Sequence, residues 1–342
     1  MKTTKTIDSS KYNKYDNTEN SNFTNLFKEE GFCMKIYLSE YIYPPAREKL
    51  SKQAEIVDNF DHIEELDAII LRNITVTADM MDKAKNLKVI AKHGIGLNTI
   101  DLEAAKARGI QVIYTPTANA DSVAEMTVAL FLALERKIVE ANANCRKNIY
   151  DKIAPKALTG TEISGKTFGQ IGMGNIAQRI AKILKNGFGC KVLGFDPFVT
   201  AEQAVERGFE KVDKLEDLLE QSDLININVP LVKSTTGMIS GEVFNHFKPE
   251  AVFVNAARGA VINEADLYAA LTTGKLKAAA CDTFVNEPPT SANKLLSLPN
   301  FSATPHIGGN TEEALKKAGT EVVEETLNFL AGKAPIHPAF KL

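Results

Sequence analysis

Between Lys166 and Pro197 the chain reads KTFGQIGMGNIAQRIAKILKNGFGCKVLGFDP, and its glycines and closing acid have the spacing of a dinucleotide site. Gly172-Met-Gly174-Asn-Ile-Ala177 fits G-x-G-x-x-G/A. In that pattern the first glycine permits a tight turn and the second lets backbone approach a pyrophosphate. The small third residue, here Ala177, lets a helix pack closely on the strand before it. The helix that follows aims free N–H groups at the phosphates. Asp196 stands 22 residues after Gly174. A carboxylate there accepts hydrogen bonds from a ribose 2′-hydroxyl and repels a 2′-phosphate, so NAD is the expected cofactor. A second pattern overlaps the first: Gly160 to Thr167, GTEISGKT, matches the triphosphate loop GxxxxGK[ST]. That loop must follow a strand and open a helix. Here Thr167 enters a strand and no apolar run ends at Gly160, so we reject it.

The elements needed to position this turn are present around it. Thr167–Ile171 reads as a buried strand, Ile176, Ile180, Ile183 and Leu184 recur at helical spacing, and Lys191–Phe195 is a second strand. The same alternation runs along the chain. Before the turn, Lys35–Leu38, Ala68–Leu71, Leu87–Ala91 and Gln111–Tyr114 are strands, with helices over 45–53, 78–85 and 101–108 between them. After it, strands are expected over 224–229, 251–255 and 278–282, and helices over 215–221, 243–247, 264–273 and 311–330. Such alternation means α/β with parallel sheets. Thr115-Pro116 to Ala120 interrupts it as a hinge, followed by one long apolar helix from Ser122 to about Arg146 that suits a core or a subunit interface. Residues 1–33 are rich in Asn, Lys, Thr and Ser and are expected to be disordered.

Composition narrows the function. The 342 residues are 44% hydrophobic, enough for two cores, and the net charge of −3 argues against a nucleic-acid or polybasic membrane surface. No apolar run approaches a membrane span and no signal-peptide core is visible. Cys33, Cys145, Cys190 and Cys281 lack C-x-x-C spacing, which reads as a reduced cytoplasmic protein with no zinc site.

Three further stretches stand out together: Val254-NAARGAVIN-Glu264, Cys281-DTFVNEP-Pro289 with its acid at Glu287, and Thr304-PHIG-Gly309. With the glycine turn they resemble the D-isomer-specific 2-hydroxyacid dehydrogenases, and most nearly the D-3-phosphoglycerate dehydrogenases that lack a regulatory C-terminal domain. The resemblance covers Met34 to near the C-terminus. It implies two Rossmann-like domains with a cleft between them: a flavodoxin-like substrate domain over 34–117 and 308–342, and a doubly wound NAD-binding domain over 118–307.

The resemblance also implies roles. Arg258 would hold the substrate carboxylate as a fork and polarise the C2 oxygen. His306 would be the acid/base that exchanges the C2 hydroxyl proton, oriented by Glu287; these three form the expected catalytic set. Asp282 would hold the nicotinamide carboxamide, Asn175 and Ile176 would lie against the pyrophosphate, and Val229, Pro230, Ala256, Ala257 and Gly308 would line the cofactor. Backbone of Gly94, Ile95 and Gly96 would help bind the carboxylate, with Asn119 beside it at the hinge, in the pattern Asn119-x-x-Ser122-x-x-Glu125. Arg72 and Lys92 follow two strands of the first half. Strand C-termini face the cleft in such sheets, so both cations are expected to meet an anionic far end of the substrate, 3-phosphoglycerate first. The alternatives are a glyoxylate/hydroxypyruvate reductase or another D-2-hydroxyacid dehydrogenase and, in another class, an NAD-sensing corepressor. A homodimer through the NAD-binding domain is expected, using the helix from Ser122 and residues 148–158.

Overall fold

The computed structural model describes residues 34–150 and 153–342. The expectation of disorder over 1–33 lies outside these residues, as do positions 151 and 152 of the expected dimer segment.

The first half builds one parallel sheet from β1 (Lys35–Leu38), β2 (Glu55–Val57), β3 (Ala68–Leu71), β4 (Val89–Lys92) and β5 (Gln111–Tyr114). Its order is β2-β1-β3-β4-β5, the flavodoxin-like arrangement. Helices α1 (Pro44–Ser51), α2 (Ala78–Lys83) and α3 (Leu102–Ala107) connect the strands. The strands are short, continuous apolar runs because both faces are covered: all four residues of β3 are buried, and so are those of β4, including Lys92. Thr77 and Asp101 cap α2 and α3 by accepting from Met80 and Ala104 N–H.

The second sheet follows α4 (Ala120–Glu135) and α5 (Ile138–Arg146). Its strands are β6 (Thr167–Ile171), β7 (Lys191–Phe195), β8 (Glu210–Lys211), β9 (Leu224–Ile227), β10 (Val252–Asn255), β11 (Ala278–Cys281) and β12 (Phe301–Ala303). All neighbours are parallel, in the order β12-β11-β10-β9-β6-β7-β8. The strand order reverses between β6 and β9, and in a doubly wound sheet ligands bind outside the strand C-termini at that reversal. The glycine turn leaves β6 at this place and leads into α6 (Asn175–Phe188). Helices α7 (Ala201–Glu206), α8 (Leu215–Gln221) and α9 (Glu264–Thr272) complete the layers. The last helix, α10 (Glu312–Leu330), returns to the first sheet. Its Val322, Val323 and Leu327 enter one core with Ile36, Ile70, Ala91 and Ile113.

The single long helix expected over 122–146 is two. Lys137 is left-handed, with φ 51°, and separates α4 from α5. The break has a cause. The Glu135 side chain is fully buried and binds Lys166 and Lys277, while its carbonyl accepts the Thr161 N–H at 2.9 Å. The end of α4 is thereby fixed in the core. No residue of α5 is buried. No helix among the described residues is long and apolar enough to cross a membrane.

Candidate active site

Arg258 lies three residues beyond β10, and its short loop is closed locally. Asn255 accepts the Ala257 N–H at 3.0 Å and donates to the Arg258 carbonyl at 2.9 Å. The guanidinium then crosses to the loop after β4: Nε donates to Asn98 Oδ1 at 3.0 Å and Nη1 to the Ala257 carbonyl at 2.6 Å. It lies against Gly96 so closely that a Cβ there would fall 1.6 Å from Nη2. The glycine is what lets the fork reach the segment Gly94–Gly96.

His306 follows β12 by three residues, and its Nδ1 lies 2.8 Å from Glu287 Oε2. A carboxylate only accepts, so Nδ1 carries the proton and Nε2 is free to exchange one with a substrate. The other carboxylate oxygen accepts the Phe284 N–H at 2.9 Å. Burial works against ionising Glu287. The His306 bond, the Phe284 N–H and the nearby charges of His306 and Arg258 outweigh it and hold the carboxyl below its ordinary range. Burial pulls the Arg258 guanidinium down from its usual value, and Glu287 opposes that; an arginine starting so high stays charged.

Asp282 is 1% exposed, and its carboxylate is turned onto the histidine loop. Oδ1 accepts from Thr304 Oγ1 at 2.6 Å and the Ile307 N–H at 2.9 Å, and Oδ2 accepts the Gly308 N–H at 2.8 Å. Its main-chain carbonyl takes the His306 N–H at 2.7 Å. The residue expected to hold a carboxamide is thus also the anchor of the loop that carries His306.

On the first sheet, Arg72 reaches Asn310 Oδ1 at 3.3 Å. Its N–H is held by Glu40 at 2.8 Å, and Glu40 also accepts from Asn73 N–H. Lys92 is 6% exposed, so it is not a solvated cation. Its ammonium donates to the Arg72 carbonyl and to Thr99 Oγ1. Burial, then the charge of Arg258, and less strongly Arg72, push it down to about 8, with Glu40 opposing. His93, given no role from sequence, is buried beside this group with Nε2 unpartnered. Burial first and Arg72 second push it down to about 4, so it is neutral at pH 7. Asn119 lies against Gly309, with Oδ1 buried and without a hydrogen-bond partner. Ser122 bonds Thr311, the N-cap of α10, at 2.8 Å. Glu125 is elsewhere: it lines a groove of about 680 Å³ between α4 and α6 with Asp121 and Arg179. That groove contains none of Arg258, Glu287 and His306.

The glycine turn fits a dinucleotide. Gly172 has φ +84°, and a Cβ there would meet Asn228 O at 2.5 Å and Val229 Cγ1 at 3.0 Å. Gly174 caps α6, and a Cβ on it would meet nothing within 4 Å. The N-terminus of a 14-residue helix therefore faces open space where a pyrophosphate belongs. Asn175 and Ile176 are its first residues. The half-buried Val229 and exposed Pro230 follow β9, and the buried Ala256 and Ala257 follow β10. Asp196 closes β7. Its Oδ2 accepts the Met173 N–H at 3.0 Å and Oδ1 the Phe198 N–H at 3.0 Å; each oxygen keeps a lone pair for a ribose hydroxyl. Arg207, not anticipated from sequence, donates to the Met173 carbonyl at 3.2 Å. Asn98, Asn255, Glu40 and Thr304 were also not anticipated. Of these, Asn255, directly before Ala256-Ala257-Arg258, and Thr304, two residues before His306, carried a local signal.

Residues 128–308 match the family model described as D-isomer specific 2-hydroxyacid dehydrogenase, NAD binding domain. The D-3-phosphoglycerate dehydrogenase of Methanocaldococcus jannaschii is 42% identical over 80% of this chain, which spans 51% of that protein. The chain thus spans about half the length of this relative. The hydroxypyruvate reductase of Thermotoga maritima is 40% identical over 86% of this chain and 98% of its own length. Among solved structures, a Thermus thermophilus protein superposes with a TM-score of 0.82 at 30% identity, over 90% of this chain and all of the other.

Proposed function

The chain belongs to the D-isomer-specific 2-hydroxyacid dehydrogenase family, whose NAD-binding domain it contains, and from that premise we propose that it oxidises 3-phospho-D-glycerate to 3-phosphohydroxypyruvate with NAD. The observation that carries the substrate is the cluster of Arg72, Lys92 and Arg258. Lys92 sits well below an ordinary lysine, in part because the other two cations repel its charge. A positive field that its own members oppose is complementary to a substrate carrying an anion at each end.

In this reading Arg258 binds the C1 carboxylate and the C2 oxygen, and the Gly94–Gly96 backbone completes the carboxylate site. Nicotinamide, when bound, supplies the hydride acceptor in oxidation and the donor in reduction. His306 Nε2 takes the C2 hydroxyl proton in oxidation and returns it in reduction. Glu287 holds the imidazole edge toward the substrate and favours its charged form. Asp282 keeps the histidine loop in place. The domain boundaries near residues 117 and 308 and a homodimer belong to the same proposal. The dimer is supported by Ile138 (51% exposed), Val139 (57%), Ile149 (58%) and Ile153 (100%), an apolar surface on and after α5. Light scattering that finds a monomer at micromolar concentration would remove the dimer. The free Cys145, Cys190 and Cys281 accord with the cytoplasm.

A second reading is hydroxypyruvate reduction. It is favoured by the near full-length match to the Thermotoga protein. A panel of 3-phosphoglycerate, D-glycerate and D-lactate with NAD, and of hydroxypyruvate and glyoxylate with NADH, separates the two. Arg72→Ala should raise KM for 3-phosphoglycerate at least about tenfold, the worth of one charge-assisted contact, and leave KM for D-glycerate nearly unchanged. A parent enzyme that prefers hydroxypyruvate or glyoxylate overturns the phosphate assignment and leaves the reaction class.

A further inference from the structure

Away from the cleft, α10 and the segment after it bring three ligating side chains together. Glu321 and Glu325 lie one turn apart on α10, and the chain folds back to set His337 beside them. One ligand atom from each lies within 4.8 Å of the other two. Glu325 is 5% exposed; its Oε2 accepts the His337 N–H at 3.3 Å, while Oε1 is buried with no hydrogen-bond partner. Glu321 Oε1 lies 3.2 Å from His337 Nε2 but is not aligned as a hydrogen bond. Burial pushes the Glu321 carboxyl above its usual range; His337 opposes this and the Glu325 charge adds to it. Two adjacent carboxylates, one deeply buried and holding an unused oxygen, lack positive charge, and one imidazole is a partial answer.

We propose that Glu321, Glu325 and His337 bind a divalent transition metal, Zn²⁺ first, which clips the C-terminal segment to α10. Imidazole nitrogen and carboxylate oxygen are both zinc ligands, and three protein donors leave the fourth position of a tetrahedron open. Bonds of about 2.0–2.2 Å in a tetrahedron put donors about 3.4 Å apart, close to the Glu321–His337 approach already present. Partial exposure of Glu321 and His337 leaves a fourth position to water. The imidazole nitrogen sets the preference: it suits zinc, whereas calcium and magnesium take oxygen ligands. The clip acts on a defined element. Residues 337–340 run along β5: Tyr114 N–H donates to the His337 carbonyl at 3.2 Å and Ala339 N–H to the Val112 carbonyl at 2.8 Å. Gln111 Nε2 reaches the Phe340 carbonyl at 3.0 Å. β5 is the strand that leads into the Thr115–Asn119 segment, so the metal holds the edge from which the chain leaves the first sheet. Cysteine spacing, the basis for expecting no zinc, carries no information about this oxygen and nitrogen set.

The test uses the full chain freed of metal by a chelator. Titration with Co²⁺ should give visible d–d absorption that saturates at one equivalent and is displaced by Zn²⁺. At a hundredfold excess of Zn²⁺ over Kd the melting temperature should rise by about 5 °C. His337→Ala should weaken Zn²⁺ at least about tenfold, as should Glu325→Gln. His62→Ala should not, although His62, Glu64 and Glu65 form a second, exposed cluster. His337 is partly exposed, so its variant decides the matter even where Glu325→Gln fails to fold. No cobalt absorption together with an unchanged melting temperature overturns the proposal, and so does undiminished affinity in His337→Ala.

Discussion

Gly96→Ala should disable the enzyme while leaving its fold intact, and the geometry says by how much. The new methyl would lie 1.6 Å from Arg258 Nη2, 2.8 Å from Cζ and 3.2 Å from Asn98 Oδ1. Ordinary contact begins near 3.4 Å, so the guanidinium must retreat by about 1.8 Å and lose its bond to Asn98. The displaced group is the end of a flexible side chain, and Gly96 is not in the left-handed region. The folding cost is therefore small. It is offset further by the roughly 0.4–1 kcal/mol that Gly→Ala gains by restricting the unfolded chain, and the melting temperature should stay within about 2 °C. Catalysis has no such tolerance. A misplacement of about 1 Å costs on the order of 10²-fold, so kcat/KM should fall at least that far, about 2.7 kcal/mol in transition-state stabilisation. Gly94→Ala is the contrasting case. With φ +135° and no atom within 4 Å of its Cβ, it strains backbone by about 1–3 kcal/mol and does not touch Arg258. The assay is steady-state kcat/KM beside calorimetric melting and NAD binding for both variants. A Gly96→Ala enzyme within about threefold of the parent in kcat/KM would refute the role given to the fork.

His306→Ala should lose about 10²–10⁴-fold in turnover. Glu287→Gln should change the pH–rate profile, because the imidazole loses the carboxylate that its Nδ1–H donates to. An unmoved profile would separate Glu287 from the proton transfer. The parent should prefer NAD to NADP in kcat/KM, and Asp196→Ala should relax that preference by removing the carboxylate beside Met173 N–H while Arg207 stays on the Met173 carbonyl; equal use of both cofactors by the parent counts against Asp196 as the discriminator. Glu135→Gln should cost about 2–3 kcal/mol in urea unfolding, below the 3–5 of a fully enclosed pair, because Lys166 and Lys277 reach solvent. Burial opposes ionisation of Glu135, but the two lysines and Thr161 hold its carboxyl below the unfolded value. Its contribution is thus present above about pH 4.5 and lost as pH falls through the lower folded value; a variant equally stable at pH 7 would contradict this.

What could be read from sequence was what short-range physics decides. The glycine turn, Asp196 and the strands β3, β6 and β10 declare themselves because a buried parallel strand must be apolar throughout and a phosphate turn must lack side chains. The edge strands β2, β8 and β12 escaped because an edge needs no apolar run: β8 is Glu210-Lys211, and β12 has no fully buried residue. The helix α7 was readable in principle, since Thr200 and Gln203 form a capping box. Contacts between distant residues were not. Nothing near Asn98 announces that Arg258, 160 residues on, will lean on it. Nothing near Glu135 announces two lysines, one 31 and the other 142 residues away. Lys92 read as a strand-end cation facing the cleft, and only the fold shows that it is buried and donates to the Arg72 carbonyl and Thr99.

The histidine loop shows how the fold holds a residue where its own backbone preference would not. His306 has φ 56°, a left-handed conformation that histidine adopts more readily than most residues but still at a cost. That cost is about 1–3 kcal/mol. Asp282 opposes it with three hydrogen bonds to its carboxylate from residues 304, 307 and 308, on both sides of the histidine, and one from His306 N–H to its carbonyl. Bonds to a charged acceptor contribute about 1.5–3 kcal/mol each, so together they exceed the strain. The surplus matters because Glu287 cannot hold the loop. It is partly exposed, and the only part of the histidine that it binds is the ring. The two carboxylates therefore act on different parts of one residue. The buried Asp282 sets where the imidazole stands, and the more open Glu287 sets which way it points and where its proton sits. Exchanging their partners would defeat both roles, since Glu287 reaches only the ring and Phe284 N–H, while Asp282 holds the loop on both sides of the histidine.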